Sequence, residues 1–216
     1  CTITNVITAS AAAEYPTIPV ASVTGNITDN DTASVTITPT TLTLAEGGAT
    51  DTFDISLGST PSGQVDITVT PDAQCDIGGG AGVAGVLNFT TMTPQTVTVT
   101  AVDDVLVEGG HTCTITNVIT TSAAAEYPTG ALTSVTGNIT DNDTASVTIT
   151  PTTLTLAEGG ATDTFDISLS STPSGQVDIT VTPDAQCDIG GGAGVAGVLN
   201  FTTMTPQTVT VIAVDD

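Results

Sequence analysis

The sequence lacks positive side chains. Its 216 residues hold 23 Asp and Glu and no Lys or Arg, for a formal net charge of −23. His111 is the sole His, there is no Trp, and aromatic residues make up 3% of the chain. These absences exclude several chemistries. Nothing is available to neutralise a phosphate backbone, which argues against nucleic acid as a partner. Adsorption to an anionic membrane is disfavoured for the same reason. No apolar run approaches the roughly 20 residues of a spanning helix, so no membrane insertion is expected. No basic-then-apolar leader is visible, and secretion would need one outside this stretch. Without Lys, a Lys–Asn isopeptide staple and a Schiff-base lysine are both impossible.

What remains is acid with no cation to answer it. Acidic residues lying in loose loops can be left to water. Acids gathered within a few ångströms repel one another, and the relief left to them is protonation or a bound cation. The sequence does gather them. Ile139-Thr140-Asp141-Asn142-Asp143-Thr144 and its twin around Asp29, Asn30 and Asp31 each pack two carboxylates and an amide into three residues. Glu46 precedes Gly47-Gly48 and recurs as Glu158, while Asp103-Asp104, followed by Glu108, recurs as Asp215-Asp216.

The recurrence is general. Cys1 and Cys113 stand 112 residues apart (113 − 1), as do Cys75 and Cys187 or Glu46 and Glu158. Residues 1–104 align with 113–216 without a gap, and differ chiefly at 18–21 against 130–133. A period of this length is that of an independently folding domain, too long for a solenoid coil. The expected organisation is a string of beads cut out of phase. Residues 1–31 would be the last two strands of one bead, 32–143 a complete bead, and 144–216 the front strands of another.

Within a bead, Val, Ile, Leu and Phe alternate with Thr in short runs separated by Gly, Pro and Asp. The runs are Thr32–Glu46 with a break at Pro39, Asp51–Leu57, Gln64–Thr70, Val86–Thr90, Gln95–Val102, Thr112–Thr120 and Ser134–Thr140. No window carries a useful helical apolar stripe. About seven strands in one bead predict an all-β protein of tandem Ig-like antiparallel sandwiches. Outward Thr suits the pleated faces, and a core this poor in aromatics calls for staples.

The acidic spacing resembles the Calx-beta domain, found in sodium–calcium exchangers and in tandem repeats of microbial surface proteins. The residues that carry the resemblance are Ala45-Glu46-Gly47-Gly48, Val102-Asp103-Asp104 with Glu108, and Asp141-Asn142-Asp143. It implies an Ig-like sandwich with calcium (Ca2+) held by loops at one end. The ligand candidates it implies are Glu46, Asp103, Asp104, Glu108, Asp141 and Asp143, with Asp72 added, and the repeat extends them to Asp29, Asp31, Glu158, Asp215 and Asp216. Two departures stand out. The acidic run after the central Asp pair is reduced to Glu108, and Cys75-Asp76 with a glycine run replaces the family's Asp-Tyr. Calcium is favoured over magnesium because oxygens from separate loops suit a large, irregular shell. Zinc is not expected, with one His and no zinc spacing among the cysteines.

One Cys pair per complete bead, in a chain that reads as extracellular, points to a Cys75–Cys113 disulfide. The family topology, in which the third strand neighbours the sixth, agrees. Cys187 and Cys1 would then pair across a junction between copies. Asn26, Asn88, Asn138 and Asn200 are candidate glycosylation sites, and Asn30 and Asn142 also lie in sequons. An enzyme is not expected, because no nucleophile–base pair or phosphate loop is present. The expected role is structural: a subunit of an extracellular or cell-surface filament or stalk, stiffened by calcium and assembled head to tail from other copies of itself. The alternative is a calcium-dependent adhesin or calcium-binding module whose surface ligand would meet the variable residues at 18–21 and 130–133.

Overall fold

A computed structural model describes residues 1–215. Its contacts fall into two compact units, Cys1–Ala33 and a larger one beginning at Ser34. The first unit is an antiparallel pair, β1 (Thr2–Val6) and β2 (Pro19–Thr24). Every residue of both strands is exposed, including Ile3, Val6, Val20 and Val23.

The larger unit opens with a full sandwich. Its strands are β3 (Val35–Thr38), β4 (Thr41–Ala45), β5 (Asp51–Leu57), β6 (Val65–Pro71), β7 (Cys75–Asp76), β8 (Gly85–Phe89), β9 (Gln95–Ala101), β10 (His111–Ser122), β11 (Gly130–Ala131) and β12 (Val135–Thr140). One sheet runs β3-β5-β9-β7. The other runs β4-β12-β10-β6-β8, with β11 attached to β10. Period-2 alternation does what it should: β6 buries Val65, Ile67 and Val69, β5 buries Phe53, Ile55 and Leu57, and the Thr and Asp between them face outward. Tyr127 closes one end of the core. Its hydroxyl accepts from the Ser59 backbone N at 2.9 Å and donates to the Ser59 carbonyl at 2.7 Å.

The Thr32–Glu46 run bends at Pro39 and changes sheets, β3 joining β5 and β4 joining β12. Within this otherwise antiparallel sandwich β4 and β12 are parallel, from Thr136↔Thr41 to Thr140↔Ala45. The region from Pro71 to Gly85, expected as loop, contains the short β7. Two residues are too few to show an alternation. A disulfide joins Cys75 on β7 to Cys113 on β10, with Cα atoms 5.9 Å apart. Because β7 and β10 lie in different sheets, the bridge crosses the sandwich. The glycine at 137 is required there: a Cβ would lie 2.7 Å from Leu44 Cδ1 and 2.8 Å from Cys113 Sγ.

Residues beyond Thr144 repeat the front half: β13 (Val147–Thr150), β14 (Asp163–Leu169), β15 (Val177–Val181), β16 (Cys187–Asp188), β17 (Gly197–Phe201) and β18 (Gln207–Ala213). The order β13-β14-β18-β16 copies β3-β5-β9-β7, and β15 pairs β17 as β6 pairs β8. No strand forms at 153–157, the counterpart of β4. The reason is visible in the first sandwich, where the sole partner of β4 is β12.

Candidate metal centre

The acids converge where β4 and β12 end. The β4–β12 ladder delivers Glu46 and Asp141 side by side, with the Glu46 backbone N donating to the Thr140 carbonyl at 3.1 Å. Gly47 then turns the chain at φ 56°, a conformation that favours glycine. A Cβ there would stand 2.9 Å from Asn142 Nδ2 and 3.4 Å from both Asp103 carboxylate oxygens. The Asn142 amide ties the loops together, donating to the Glu46 carbonyl and to Asp103 Oδ1, each at 3.0 Å.

Glu46 is the centre of this arrangement. It is 3% exposed, and neither carboxylate oxygen accepts a hydrogen bond. Asp143 Oδ2 is likewise buried and unpartnered. Carboxylate oxygens of Glu46, Asp141 and Asp143 lie within 4.8 Å of one another. A second group with the same spacing joins Glu46 to Glu108 and His111. A buried carboxylate without partners is costly unless it is protonated or meets a cation.

The carboxyl groups respond unequally. Burial raises Glu46 above its ordinary value; the nearby backbone N–H of Asn142 and the His111 ring offset part of this, while Asp141 and Asp104 add to it. Asp143 is raised by burial first and then by Asp141, Asp103 and Asp104. Asp141 is lowered, chiefly by backbone N–H groups of Asp143 and Gly109, with that of Glu108 adding to them. The Gly109 and Glu108 bonds to Asp141 Oδ2 are 2.7 Å each, so the 103–110 loop is pinned to the end of β12. One firmly ionised carboxylate thus faces two that resist ionisation, which is the charge state a divalent ion would relieve.

The expected ligands divide as follows. Glu46, Asp141, Asp143 and Glu108 belong to the two groups. Asp103 holds Asn142, and Asp104 accepts from Leu106 N at 2.6 Å, so both border the centre. Asp72 is committed elsewhere, accepting from Gln74 N at 3.1 Å and Thr114 N at 2.7 Å. In the first unit, Asp29 and Asp31 are exposed, and Asp29 caps the Asp31 N at 3.0 Å. Glu158 and Asp215 are exposed. Asp216 lies outside the described residues. Two contributors were missed. His111 was set aside as a lone His, although its place three residues after Glu108, at a strand start, was a usable signal. Asn142 lies in a sequon within the acidic cluster, and its amide is spent on two internal bonds. Asn26, Asn88, Asn138 and Asn200 are exposed. The amides of Asn88 and Asn200 donate to Asp66 and Asp178 at 2.8 and 2.6 Å. Cys1 and Cys187 are free thiols.

No protein-family model and no curated protein sequence matches the chain. Solved structures do. The calcium binding domain CBD12 of CALX1.1 is 15% identical with a TM-score of 0.39, over 85% of this chain and 76% of that one. The chain resembles Calx-beta calcium-binding domains. The apo form of the Calx CBD1 domain is 16% identical with a TM-score of 0.40, over 52% of this chain and 100% of that one. The periplasmic chaperone SfaE is 10% identical with a TM-score of 0.39, over 82% of this chain and 87% of that one.

Proposed function

We propose that this protein is a calcium-binding β-sandwich repeat of an extracellular stalk or filament, in which calcium stiffens the end of each complete bead. The observation that carries the calcium reading is the Glu46 carboxylate, buried and without a hydrogen bond, beside Asp141 and Asp143. The residues fit the ion. Every donor in that group is a carboxylate oxygen and the donors come from two separate segments, as a hard cation with a large shell prefers. Glu46, Asp141 and Asp143 would hold it, with Asp103 and Asp104 adding charge. Bound calcium would supply the positive charge that this sequence withholds everywhere else. The chain's own residues do the rest: Asn142 fixes the Glu46 loop, and Asp141 anchors the 108–109 backbone.

The repeat supports the stalk. The edge left open on β15 corresponds to the edge of β6 that β10 pairs with in the first sandwich. Strands with the sequence of residues 111–140 are what that edge takes, and residues 1–28 carry nearly that sequence. Another copy of the chain, joined head to tail, is therefore the partner proposed. Supplied by a continuing chain or by a second molecule, those strands extend the same linear array of beads. The cross-sheet disulfide fits an oxidising compartment, outside the cytosol.

The test is thermal unfolding in calcium and in excess chelator. Calcium at a hundredfold excess over its Kd should stabilise the first sandwich by about 2.7 kcal/mol. Equal melting in both conditions, or an unchanged calcium response in Glu46→Gln, removes the reading. Micrographs of the same samples should show linear arrays that soften in chelator.

A further inference from the structure

We propose that Glu46, Glu108 and His111 form a second cation position, for a borderline divalent ion of the zinc type. It goes beyond the calcium reading and shares Glu46 alone with the all-oxygen group.

The geometry around the imidazole carries it. His111 Nδ1 lies 3.0 Å from the Gly109 carbonyl. A carbonyl can only accept, so Nδ1 carries a proton, and in that tautomer of the unprotonated ring Nε2 presents a lone pair. That lone pair faces two carboxylates, Glu46 Oε1 at 3.6 Å and Glu108 Oε2 at 3.5 Å. Three electron-rich atoms facing one another repel unless positive charge stands between them. A proton on Nε2 is an incomplete solution: it would leave His111 in a loose ion pair with both carboxylates, without a hydrogen bond to either. A metal ion is a good one. Two ligands about 2.0–2.1 Å from one ion, across a tetrahedral angle, stand about 3.3–3.5 Å apart.

Two further observations point the same way. The Glu46 side chain is 0% exposed and both its oxygens are unpartnered, so a buried charge is aimed into the group from the core side. The Nδ1–carbonyl bond is the usual device that fixes the tautomer and orientation of a metal-bound imidazole. The nitrogen sets the metal class. Calcium takes oxygen ligands, whereas imidazole with carboxylates suits zinc and its neighbours. A zinc centre needs neither several His nor paired Cys here, since one imidazole and two carboxylates make three protein ligands with a fourth place open. The same Glu46 would bridge the two positions.

The probe is Zn2+, titrated calorimetrically into the 216-residue protein held in saturating calcium. Cys1→Ser and Cys187→Ser are included to remove the free thiols, which bind zinc on their own. One equivalent is expected, with affinity reduced at least tenfold in His111→Gln. A melt in chelator shows that His111→Gln is folded. Co2+ serves as a second probe: its visible absorption should report nitrogen ligation in the parent and lose it in the variant. Equal Zn2+ affinity in parent and variant, or no binding in either, overturns the proposal. The two readings fail separately. His111-dependent zinc binding without any calcium stabilisation sinks calcium alone, and calcium stabilisation without His111-dependent zinc sinks the second position alone.

Discussion

Residues 35–104 of the first sandwich and the stretch from 147 onward are nearly the same sequence in two tertiary settings. Leu42 and Val65 are 0% exposed in the first, whereas Leu154 and Val177 are half-buried in the second. Glu46 is buried and Glu158 is exposed. Cys75 is bridged and Cys187 is free. The hairpin at the other end shows the converse: Ile3 is 55% exposed where Ile115 is 0%. Strand propensity with one neighbour is enough to form β15, although its counterpart β6 has two. It does not form a counterpart of β4, and it does not build a site. Burial, bridge and acid convergence all arrive with the strands equivalent to β10 and β12, which lie far along the chain from the residues they cover.

The comparison breaks if the missing neighbours are supplied. Appending a copy of residues 105–143 after Asp216 should close the second sandwich, form a Cys187 bridge and double the calcium bound. Intact mass after alkylation and calcium titration read both; an unbridged Cys187 would show that something besides absent strands separates the two regions. Cys75→Ala with Cys113→Ala should cost the first sandwich about 4 kcal/mol by the chain-entropy relation for the 38-residue separation. Cys187→Ala should change stability within the error of a denaturant titration. Ile115→Ala should cost about 2–5 kcal/mol, as large-to-small core changes do. Ile3→Ala, the same substitution on the exposed copy, should stay within about 0.5 kcal/mol.

A further effect is expected in the pH dependence of the chelated protein. Glu46 and Asp143 carry raised values in the fold, so the folded state holds more protons than the unfolded one just above their ordinary values. Their contribution is present at low pH and is lost as pH rises through the folded values. Asp141 is lowered and acts in the opposite sense, its contribution disappearing as pH falls through its folded value. Chelated protein should therefore melt highest at mildly acidic pH and lower at neutral pH. Calcium should remove the neutral-pH deficit. A chelated protein more stable at pH 8 than at pH 5 would contradict the assignment of Glu46.

Much of this was legible from residue order. The Thr-alternating runs mark the main strands because a half-buried pleat exposes every second side chain. Cys75 and Cys113 announced a bridge by being the one pair in the bead. The acid spacings named Glu46, Asp141 and Asp143 before their convergence was visible. Other features were not legible. The parallel β4–β12 pairing depends on which sheet a strand joins after Pro39, and alternation says nothing of that. Asp72 carries the same carboxylate as Asp141, but backbone amides at Gln74 and Thr114 claim it. His111 looked idle because its partners are contributed by Glu46, 65 positions earlier (111 − 46), and by the turn that bends Glu108 back beside it.

The parallel ladder of β4 and β12 has a mechanical consequence. Tension applied between Ser34 and Asp143 pulls these strands past each other along their length. Hydrogen bonds loaded in this shear direction share the force and must fail together, whereas a hairpin pulled from its open end unzips one bond at a time. Glu46 and Asp141 sit where the ladder ends, so an ion held between them would rivet the two strands at the point where slip must begin. Resistance to such a pull is set by the unfolding rate rather than by equilibrium stability. Chelator should therefore lower the force at which a bead gives way as well as its melting temperature.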